Sequence, residues 1–406
     1  MLQLITMNQN SHFTGQPVFS QLVKLIPRDL VATSVQKHHS DRYCKRFTTW
    51  HHLCSMLFAC YGRCQSLREV VSGMKALEGK LQYSDIRAFT TRSTFSDANT
   101  KRSSEVFESI YYKLKDYWHA HMPDSRKKPE QLYFVDSTVI KLFQEIFKNA
   151  GQSSSDGRRK GGVKVHMAIE DTGLCPHIVH ISAGCENDKT FMPKVNLPPY
   201  STVIMDRGYC DYTQYNRWDN EKVRWITRIY PTSVYKIHQS LEITPDQARS
   251  GLLKVQRIEL GYSNRRVKKK VFCRKIDYLH SQSGKVFEFI TNDLQTDPLL
   301  IAGLYKKRWS IELLFKRLKQ NMPLQYFLGE SQNAIRIQIW CALIADLLIQ
   351  VLRRHVKRKW AFSNIVSLIR LHLFNYLSLY SFLENPDQYS LRKNTHPQQL
   401  EIKLSG

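Results

Sequence analysis

The pattern of apolar residues changes twice along the chain, and these changes limit the possible folds. Up to residue 128, apolar side chains recur at three- and four-residue steps, as in FTTWHHLCSMLFACYG (47–62), which predicts helices. From residue 131, short β-branched runs separated by turn residues predict strands, beginning with QLYFVDSTVIKLF. Helical spacing returns at Pro298. An α/β fold is therefore expected, with helices before and after a sheet-containing core.

The same changes give the expected domain boundaries. The polar stretch MPDSRKKPE (122–130) reads as a linker because prolines bracket it. The sequence predicts a helical N-terminal domain, a first part of the core, a β-rich segment, a second part of the core with C-terminal helices, and a polar tail. These span residues 1–128, 129–230, 231–293, 294–385 and 386–406 respectively.

The charge of the chain points to a polyanionic partner. Its 406 residues include 60 Lys and Arg against 35 Asp and Glu, a formal net charge of +25. Nucleic acid is the first candidate for such a chain, and an anionic membrane surface is the second. Because 42% of the residues are hydrophobic, the chain can bury a core and is not disordered throughout.

Membrane insertion and secretion are not expected. The longest apolar stretch, residues 335–352, is interrupted by Arg336 and Asp346 and reads as a buried helix. The N-terminus MLQLITMNQN lacks the charged and apolar regions of a signal peptide. Nine cysteines are scattered with no CxxC pair, which favours reduced thiols in a cytoplasmic protein over disulfides or a zinc site.

Three acidic residues stand out by their positions. Asp136 interrupts the apolar strand LYFV, and Asp206 directly follows TVIM. A third, Glu312, lies in a helix predicted over 298–320. At 100° per residue Tyr305, Arg308, Glu312 and Lys319 project from one arc about 60° wide. Taken singly, each acid also fits a turn, a cap or a surface ion pair.

The three acids together predict a metal-dependent site. A carboxylate at the end of a buried strand is costly unless it is paired or bound to a metal. Converging carboxylates repel one another, and divalent cations relieve that repulsion. Hard oxygen ligands with open positions suit Mg²⁺ or Mn²⁺. Two such ions can activate the nucleophile and stabilise the leaving oxygen in phosphodiester chemistry.

At these residues the chain resembles a known family. Tyr305-x2-Arg308-x3-Glu312-x6-Lys319, with Asp136 on a strand before it and Asp206 in MDRGYCDY, is similar to the DDE transposases of the insertion-sequence IS-four family. The resemblance covers roughly residues 12–385. It implies a ribonuclease-H-like mixed sheet with a β-rich insertion between Asp206 and Glu312. It also implies an N-terminal helical domain for DNA binding and assembly.

The resemblance also implies roles for individual residues. Asp136, Asp206 and Glu312 would hold two Mg²⁺ ions, with Mn²⁺ as a substitute. Arg308 and Lys319 would bind phosphates near the end of the element, and Tyr305 would orient the DNA strand that carries those phosphates. The implied activity is cleavage at the ends of a mobile element and transfer of its 3′-hydroxyl into target DNA. Double-stranded DNA, as terminal inverted repeats and as target, would be the partner of a homodimer in the bacterial cytoplasm, at the nucleoid.

Basic clusters are expected to contact DNA phosphates. Such clusters are often only solvated surface. Here they occur in the same chain as the acidic triad, and this combination favours phosphate contacts. Binding through them should weaken steeply with salt. Besides RRHVKRKW (353–360), the residues expected to bind are Arg158, Arg159, Lys160, Arg265, Arg266, Lys268, Lys269 and Lys270.

Three alternatives to a transposase remain open at the level of sequence. A nuclease with the same core would cut DNA without joining it. A catalytically silent DNA-binding protein is disfavoured because all three carboxylates are present. A polybasic membrane-surface protein is the most distant, since no amphipathic segment combines a basic face with exposed aromatics. Among secondary residues, Trp309 is expected to pack, His166 to support the site or pack, and Asp188 to cap the segment after it.

Overall fold

The computed structural model places two compact units, Met1–Ala120 with Asn321–Gly406, and His121–Gln320. It describes residues 15–77, 79–81, 86, 90–121, 131–141, 152–153, 159–160, 162–171, 175–261, 270–322, 324 and 326–387. The sequence placed residues 294–385 in one segment. The structure instead groups the helices up to Gln320 with the sheet, and the later helices with the N-terminal ones.

The first unit is helical, as the apolar spacing predicts. Its N-terminal helices are α1 Val18–Val23, α2 Arg28–His38, α3 Thr49–Gly62, α4 Leu67–Lys75, α5 Arg92–Lys101 and α6 Glu105–His121. Side chains that accept hydrogen bonds from the first turn fix several of the starts, Thr48 for α3 and Ser66 for α4. The later helices are α11 Gln332–His355, α12 Phe362–His372 and α13 Leu379–Glu384.

Helix α11 is the long apolar segment of the sequence. By length and composition Gln332–His355 could cross a membrane, but its residues from Ala334 to Leu352 are almost all buried inside the protein. It packs most extensively against α3. Its buried amide Gln338 accepts from Leu328 N at 2.9 Å and donates to Tyr326 O at 2.7 Å, so its polar atoms are paired. The helix therefore forms a core element of its unit.

The second unit is built on nine strands in one sheet. Its strands are β1 Leu132–Lys141, β4 Gly162–Glu170, β5 Pro176–Ala183, β6 Thr202–Met205, β7 Arg224–Arg228, β8 Tyr235–Leu241, β9 Leu252–Leu260, β10 Val271–His280 and β11 Lys285–Thr291. Two short strands, β2 Gln152–Ser153 and β3 Arg159–Lys160, pair separately. The helices are α7 Tyr212–Asn220, α8 Pro245–Arg249, α9 Pro298–Lys306 and α10 Trp309–Asn321.

The strand order explains the position of the acidic residues. The order is β5-β4-β1-β6-β7-β11-β10-β9-β8. β1 is antiparallel to β4 and parallel to β6, and β6 is parallel to β7. The first five strands in this order form the mixed sheet expected of a ribonuclease-H-like core, with β1 at its centre. Strands bearing Asp136 and preceding Asp206 are therefore direct neighbours.

The β-rich segment expected at 231–293 continues the same sheet. Strand β11 pairs antiparallel with β7, and β10, β9 and β8 follow outward in turn. Helix α7 covers one face of this continuous sheet, where Tyr215 stacks on Trp225 at a centroid distance of 4.1 Å. Trp218 and Cys273 are buried in the same core cluster. The segment is therefore an extension of the core sheet rather than a separate one.

Candidate active site

The three predicted carboxylates lie on neighbouring elements of the second unit. Asp136 is within β1, paired opposite Met167 of β4, and Asp206 is the first residue after β6. Because side chains alternate across a strand, Asp136 shares the face of Phe134, and Asp206 that of Ile204. The parallel register pairs Phe134 with Ile204, so both acids project from the same face. Glu312 lies in the first turn of α10.

The predicted helix over 298–320 is wrong in one respect, because the chain forms two helices there. α9 ends at Lys306 and α10 begins at Trp309. Across the junction the backbone hydrogen bonds join residues three positions apart instead of four. Arg308 N donates to Tyr305 O at 3.0 Å, and Ile311 N donates to Arg308 O at 3.1 Å. Side chains three residues apart eclipse in such a turn. This brings the Arg308 guanidinium to 5.9 Å from the Tyr305 ring centroid.

Arg308 joins two of the carboxylates. Its Nη1 donates to Asp136 Oδ2 at 2.8 Å, and its Nη2 donates to Glu312 Oε1 at 2.6 Å. The side chains of Arg308, Asp136 and Glu312 are 14%, 19% and 33% exposed, so this ionic group is partly shielded from water. Charge-assisted hydrogen bonds of this kind are the strong ones in proteins. Arg308, which is expected to bind phosphate, is therefore hydrogen-bonded to two of the expected metal ligands.

The third carboxylate has an arginine of its own. Arg228, the last residue of β7, donates from Nη2 to Asp206 Oδ1 at 2.6 Å. The Tyr305 hydroxyl lies 3.4 Å from the same oxygen, and its ring packs on Phe289 with centroids 4.9 Å apart. Sequence reasoning missed Arg228. The available signal was a cation that ends a strand, RWITR, beside the strand preceding Asp206.

The pKa values of Asp136 and Asp206 are shifted in opposite directions. Burial raises the pKa of Asp136 to about 6; the Ser137 amide and Arg308 lower it, while the charges of Asp206 and Glu312 raise it further. Burial also acts to raise the pKa of Asp206, but the hydrogen bond and charge of Arg228 outweigh it and hold that pKa below its ordinary value. The charges of Asp206 and Glu312 therefore both reach Asp136.

An open cleft adjoins two of the acids. Its volume is about 520 Å³, and it is lined by Asp136, Ser137, Glu312, Phe315, Lys316, Lys319 and Gln320. Lys319 thus faces the same cleft as Asp136 and Glu312. The buried Nε atoms of Arg228 and Arg308 have no hydrogen-bond acceptor among the described residues. Buried donors of this kind are normally paired.

The donor set is compatible with hard divalent cations, although it is not preformed. Three partly exposed carboxylates on one sheet face and its covering helix are the oxygen ligands that Mg²⁺ and Mn²⁺ take. Within the described ranges, no three His, Cys, Asp or Glu side chains lie close enough together to hold an ion as they stand. The reason is visible in the geometry: guanidinium groups occupy the carboxylate oxygens.

A second polar cluster lies next to Asp136, at the neighbouring residue Ser137. The Asp188 carboxylate accepts from Ser137 Oγ at 2.9 Å and lies 2.8 Å from Lys164 Nζ. His166 is fully buried beside it, with Nδ1 3.2 Å from the Tyr209 hydroxyl, and burial lowers the pKa of its imidazole to about 4. Asn187, not Asp188, caps the 3₁₀ helix Asp188–Lys194, so the capping role expected of Asp188 is wrong.

The other predicted residues are more dispersed. Trp309 is 60% exposed, so the expected packing role is wrong. Arg159 and Lys160 form the short strand β3, and Lys270 Nζ lies 2.6 Å from Glu259 Oε1. Arg158, Arg265, Arg266, Lys268 and Lys269 lie outside the described residues. All nine cysteines are free thiols, and Cys44 and Cys185 are exposed.

Comparison with known proteins gives consistent results. A family model described as "Transposase DDE domain" matches residues 127–348, and a domain of unknown function, DUF4372, matches residues 14–84. The chain is 27% identical over 259 residues to "Putative transposase y4zB" of Sinorhizobium fredii, covering 64% of this chain and 70% of that protein. It is 28% identical over 272 residues to "Putative transposase for insertion sequence element IS4SA" of Synechocystis, covering 64% and 71%.

A solved structure is also similar. A chain of the piggyBac transposase synaptic complex with hairpin DNA aligns over 96% of this chain and 84% of its own length. The sequence identity is 9% and the TM-score 0.40.

Proposed function

The chain belongs to the transposase DDE domain family, whose model covers more than half of it, and on that premise we propose that Asp136, Asp206 and Glu312 are its catalytic carboxylates. The protein is a DDE-type DNA transposase with a ribonuclease-H-like core. The observation that supports the assignment is the convergence of the three acids. They come from two adjacent strands and a covering helix, and two arginines bind them.

The carboxylates are proposed to hold divalent metal ions, which the family uses for phosphoryl transfer, with Mg²⁺ as the ion and Mn²⁺ as its substitute. When bound, such ions activate the attacking oxygen and stabilise the leaving one. The pKa of Asp206 is lower than its ordinary value, so its carboxylate is negatively charged at neutral pH. Asp136, with a pKa of about 6, is ionised at neutral pH and becomes protonated in mild acid. Ser137 and Asp188 orient the strand that carries Asp136.

The cationic residues are proposed to bind the DNA backbone. Arg308 and Arg228 bind carboxylates through their Nη atoms, and a phosphate oxygen can take the place of a carboxylate oxygen there. Lys319 lines the cleft beside Asp136 and Glu312, where it can neutralise an adjacent phosphate. Tyr305 lies between Arg228 and Arg308 and orients the same strand. The arginines therefore exchange carboxylate for phosphate as DNA enters.

The partner is proposed to be double-stranded DNA, first as the ends of the protein's own mobile element and then as target. The protein cuts at the 3′ end of the element and joins that 3′-hydroxyl to target DNA. A mobile element has two ends, and each needs an active site, so a homodimer assembles in the DNA complex. The reaction takes place in the bacterial cytoplasm at the nucleoid. The basic clusters of the chain supply the salt-sensitive part of binding.

The test is cleavage and joining of a labelled duplex that carries the DNA flanking the gene, with Mg²⁺ or Mn²⁺. We expect nicking at the element end and strand-transfer products from the wild type, and neither from Glu312→Gln, Asp136→Asn or Asp206→Asn. Asp171→Asn is the matched control, because Asp171 is also an acid paired with a cation of the α9–α10 junction, Lys307 at 3.3 Å.

Three results would count against the proposal, in whole or in part. Nicking without any joined product would favour the simple nuclease. Binding of the duplex by all variants with no cleavage by the wild type would favour a silent DNA-binding protein and withdraw the three catalytic assignments. Cleavage by Glu312→Gln at the wild-type rate would withdraw the catalytic assignment of Glu312 alone.

A further inference from the structure

Helix α5 presents an unusual surface in the first unit. Of its ten residues, only Phe95 and Asn99 are buried. The outward positions, opposite these two, carry Ser93, Asp97, Thr100 and Lys101, and all four are exposed. None of the exposed side chains on this helix is apolar. Such a face contributes nothing to the core, and its polar side chains remain exposed for contact with another molecule.

The inner side of α5 is held firmly. Phe95 packs edge-on against His52 at a centroid distance of 5.4 Å and also contacts Phe47. Asn99 Oδ1 lies 2.8 Å from His52 Nε2, and Asn99 Nδ2 donates to Leu328 O at 3.3 Å. Burial lowers the pKa of His52 to about 3, so its ring is neutral and donates to the Asn99 amide oxygen. The helix is thus a rigid support for its outward side chains.

The C-terminal end of α5 is fixed to a neighbouring loop. Arg102, only 7% exposed, donates to Phe47 O at 2.7 Å, and to Ser40 O and Thr48 O at 3.4 Å. Asn333 Nδ2 donates to Asn99 O at 2.9 Å and to Arg102 O at 2.6 Å, which satisfies carbonyls that the helix end leaves open. The loop spanned by these contacts therefore lies beside α5 in a fixed position.

That loop contains the basic loop (residues 42–46), which is exposed at every position. Its sequence, RYCKR, has three cations and no acid. Tyr43 is 88% exposed, and the Arg42 guanidinium lies 5.0 Å from its ring centroid. Three exposed cations beside a polar helix face form a surface complementary to a polyanion.

We propose that α5 and the basic loop form a docking surface for duplex DNA, in which α5 reads base edges in the major groove and the basic loop contacts the adjacent phosphates. The inference rests on the proposed function for the identity of the partner, and it assigns a surface that the catalytic residues do not include. A helix fits the major groove, where Ser, Thr and Asp side chains can recognise base edges. The fixed loop sets the register of the helix through the backbone.

Asp97 separates base reading from simple charge attraction. It stands at the most outward position of α5, and its carboxylate lies 3.8 Å from Lys101 Nζ in an exposed pair. An acid there repels phosphates, so a surface selected only for charge would not carry it. A carboxylate that accepts from the amino group of cytosine explains its position. Removing it should therefore lower sequence preference without lowering general affinity.

The test measures anisotropy of the full-length protein, in EDTA, with a labelled duplex from the DNA flanking the gene and a shuffled duplex of equal length. For Asp97→Ala we expect equal or tighter binding to the shuffled duplex. We expect its preference for the flanking duplex to fall by roughly 5- to 150-fold. A combined Arg42→Ala, Lys45→Ala, Arg46→Ala variant should weaken binding to both duplexes alike. The log–log salt slope should then fall by about 2.7.

The matched control removes the same charge elsewhere in the same unit, at three exposed cations outside the basic clusters, through Lys37→Ala, Lys75→Ala and Arg370→Ala combined. A loss equal to that of the basic loop would overturn the proposal, because charge alone would then explain binding. Retained preference in Asp97→Ala, or no preference in the wild type, would overturn it as well. Binding is measured here in EDTA and cleavage is measured separately with metal, so failure of this proposal is distinguishable from failure of the catalytic assignment.

Discussion

Arg308 Nη1 lies 2.8 Å from the Asp136 carboxylate, although 172 positions separate the two residues along the chain. The contact joins a central strand of the sheet to the junction between α9 and α10. A cation from the expected phosphate-binding set therefore neutralises an expected metal ligand. The carboxylates therefore already carry arginine counter-charges within the second unit, and the proposed metal ions and DNA would have to displace these contacts.

Replacement of Asp136 by Asn should stabilise the fold while abolishing cleavage. The pKa of this carboxyl is raised to about 6 in the folded protein, so its ionised form destabilises the folded state. The destabilisation is complete above about pH 6 and vanishes below the unfolded pKa of about 4. We expect Asp136→Asn to raise the free energy of unfolding at pH 7.5 by up to about 3 kcal/mol.

Urea unfolding in EDTA at pH 7.5 and pH 5 measures this effect. The gain should shrink by about half at pH 5, where the wild-type carboxyl is mostly protonated in the folded state. Asp171→Asn provides the comparison for a general effect of removing an acid. A gain for Asp136→Asn that does not change with pH would contradict the prediction.

Arg308→Ala should bind Mn²⁺ more tightly than the wild type does in the absence of DNA. The guanidinium occupies oxygens of both Asp136 and Glu312, so a metal ion must displace it. Removing a charge-assisted hydrogen bond from that competition should raise the Mn²⁺ affinity by about tenfold. The same variant should lose cleavage, since a phosphate contact is gone.

Titration followed by electron paramagnetic resonance of Mn²⁺ gives the affinity directly. Lys307→Ala serves as the neighbouring control, because Lys307 pairs with Asp171 rather than with the three acids. Weaker Mn²⁺ binding by Arg308→Ala would show that the arginine supports the site instead of competing for it.

Arg228→Ala should increase the number of protons released when metal binds. In the wild type Arg228 keeps Asp206 ionised, so only Asp136 should lose a proton near pH 6. Without Arg228, burial would raise the pKa of Asp206, and two carboxyls would then lose protons. The slope of log Mn²⁺ affinity against pH, between pH 5 and 6, should rise from about one towards about two.

Isothermal titration at several pH values measures that slope. Arg224→Ala is the control. In the wild type Arg224 lies on the same strand as Arg228, but its Nη1 is 3.8 Å from Asp293 and does not contact Asp206, so this variant should keep the wild-type slope. An unchanged slope in Arg228→Ala would mean that Asp206 stays ionised by other means.

Arg102→Lys should destabilise the first unit, although the charge is kept. The planar guanidinium donates to the carbonyls of Phe47, Ser40 and Thr48 at once, and an ammonium group cannot match that geometry. We expect a loss of about 2 kcal/mol in the free energy of unfolding, from buried acceptors left without donors. Lys101→Ala, which changes an exposed neighbour, should have little effect on thermal unfolding, and an equal loss there would contradict this account.

Local pattern was sufficient for the elements that carry the acids. The apolar run before Asp206 and the β-branched character of β1 predicted the two strands, and the strand order then placed both acids on one face. The break at Lys307 and Arg308 was not predictable, because LYKKRWSIELL contains no glycine or proline and keeps helical spacing. The break depends on tertiary contacts of Tyr305 and Arg308 with the sheet.

Other features depend on pairings between distant segments. The sequence indicated strands over 231–293 but not that β11 would pair with β7, since strand order is set by non-local contacts. Arg228 gave only the signal of a cation at a strand end. The position of Asp188 opposite Ser137 and Lys164 also depends on the sheet, and a local reading assigned it to a cap instead.

The split of the first unit between both ends of the chain determines the order of events during synthesis. Helix α3 leaves the ribosome about 270 residues before α11, the helix against which it packs most extensively. At about 5 to 20 residues per second this interval is roughly 15 to 55 s. The second unit is continuous in sequence and can fold within that time. During that interval the apolar surface of α3 on the nascent chain still lacks its partner α11.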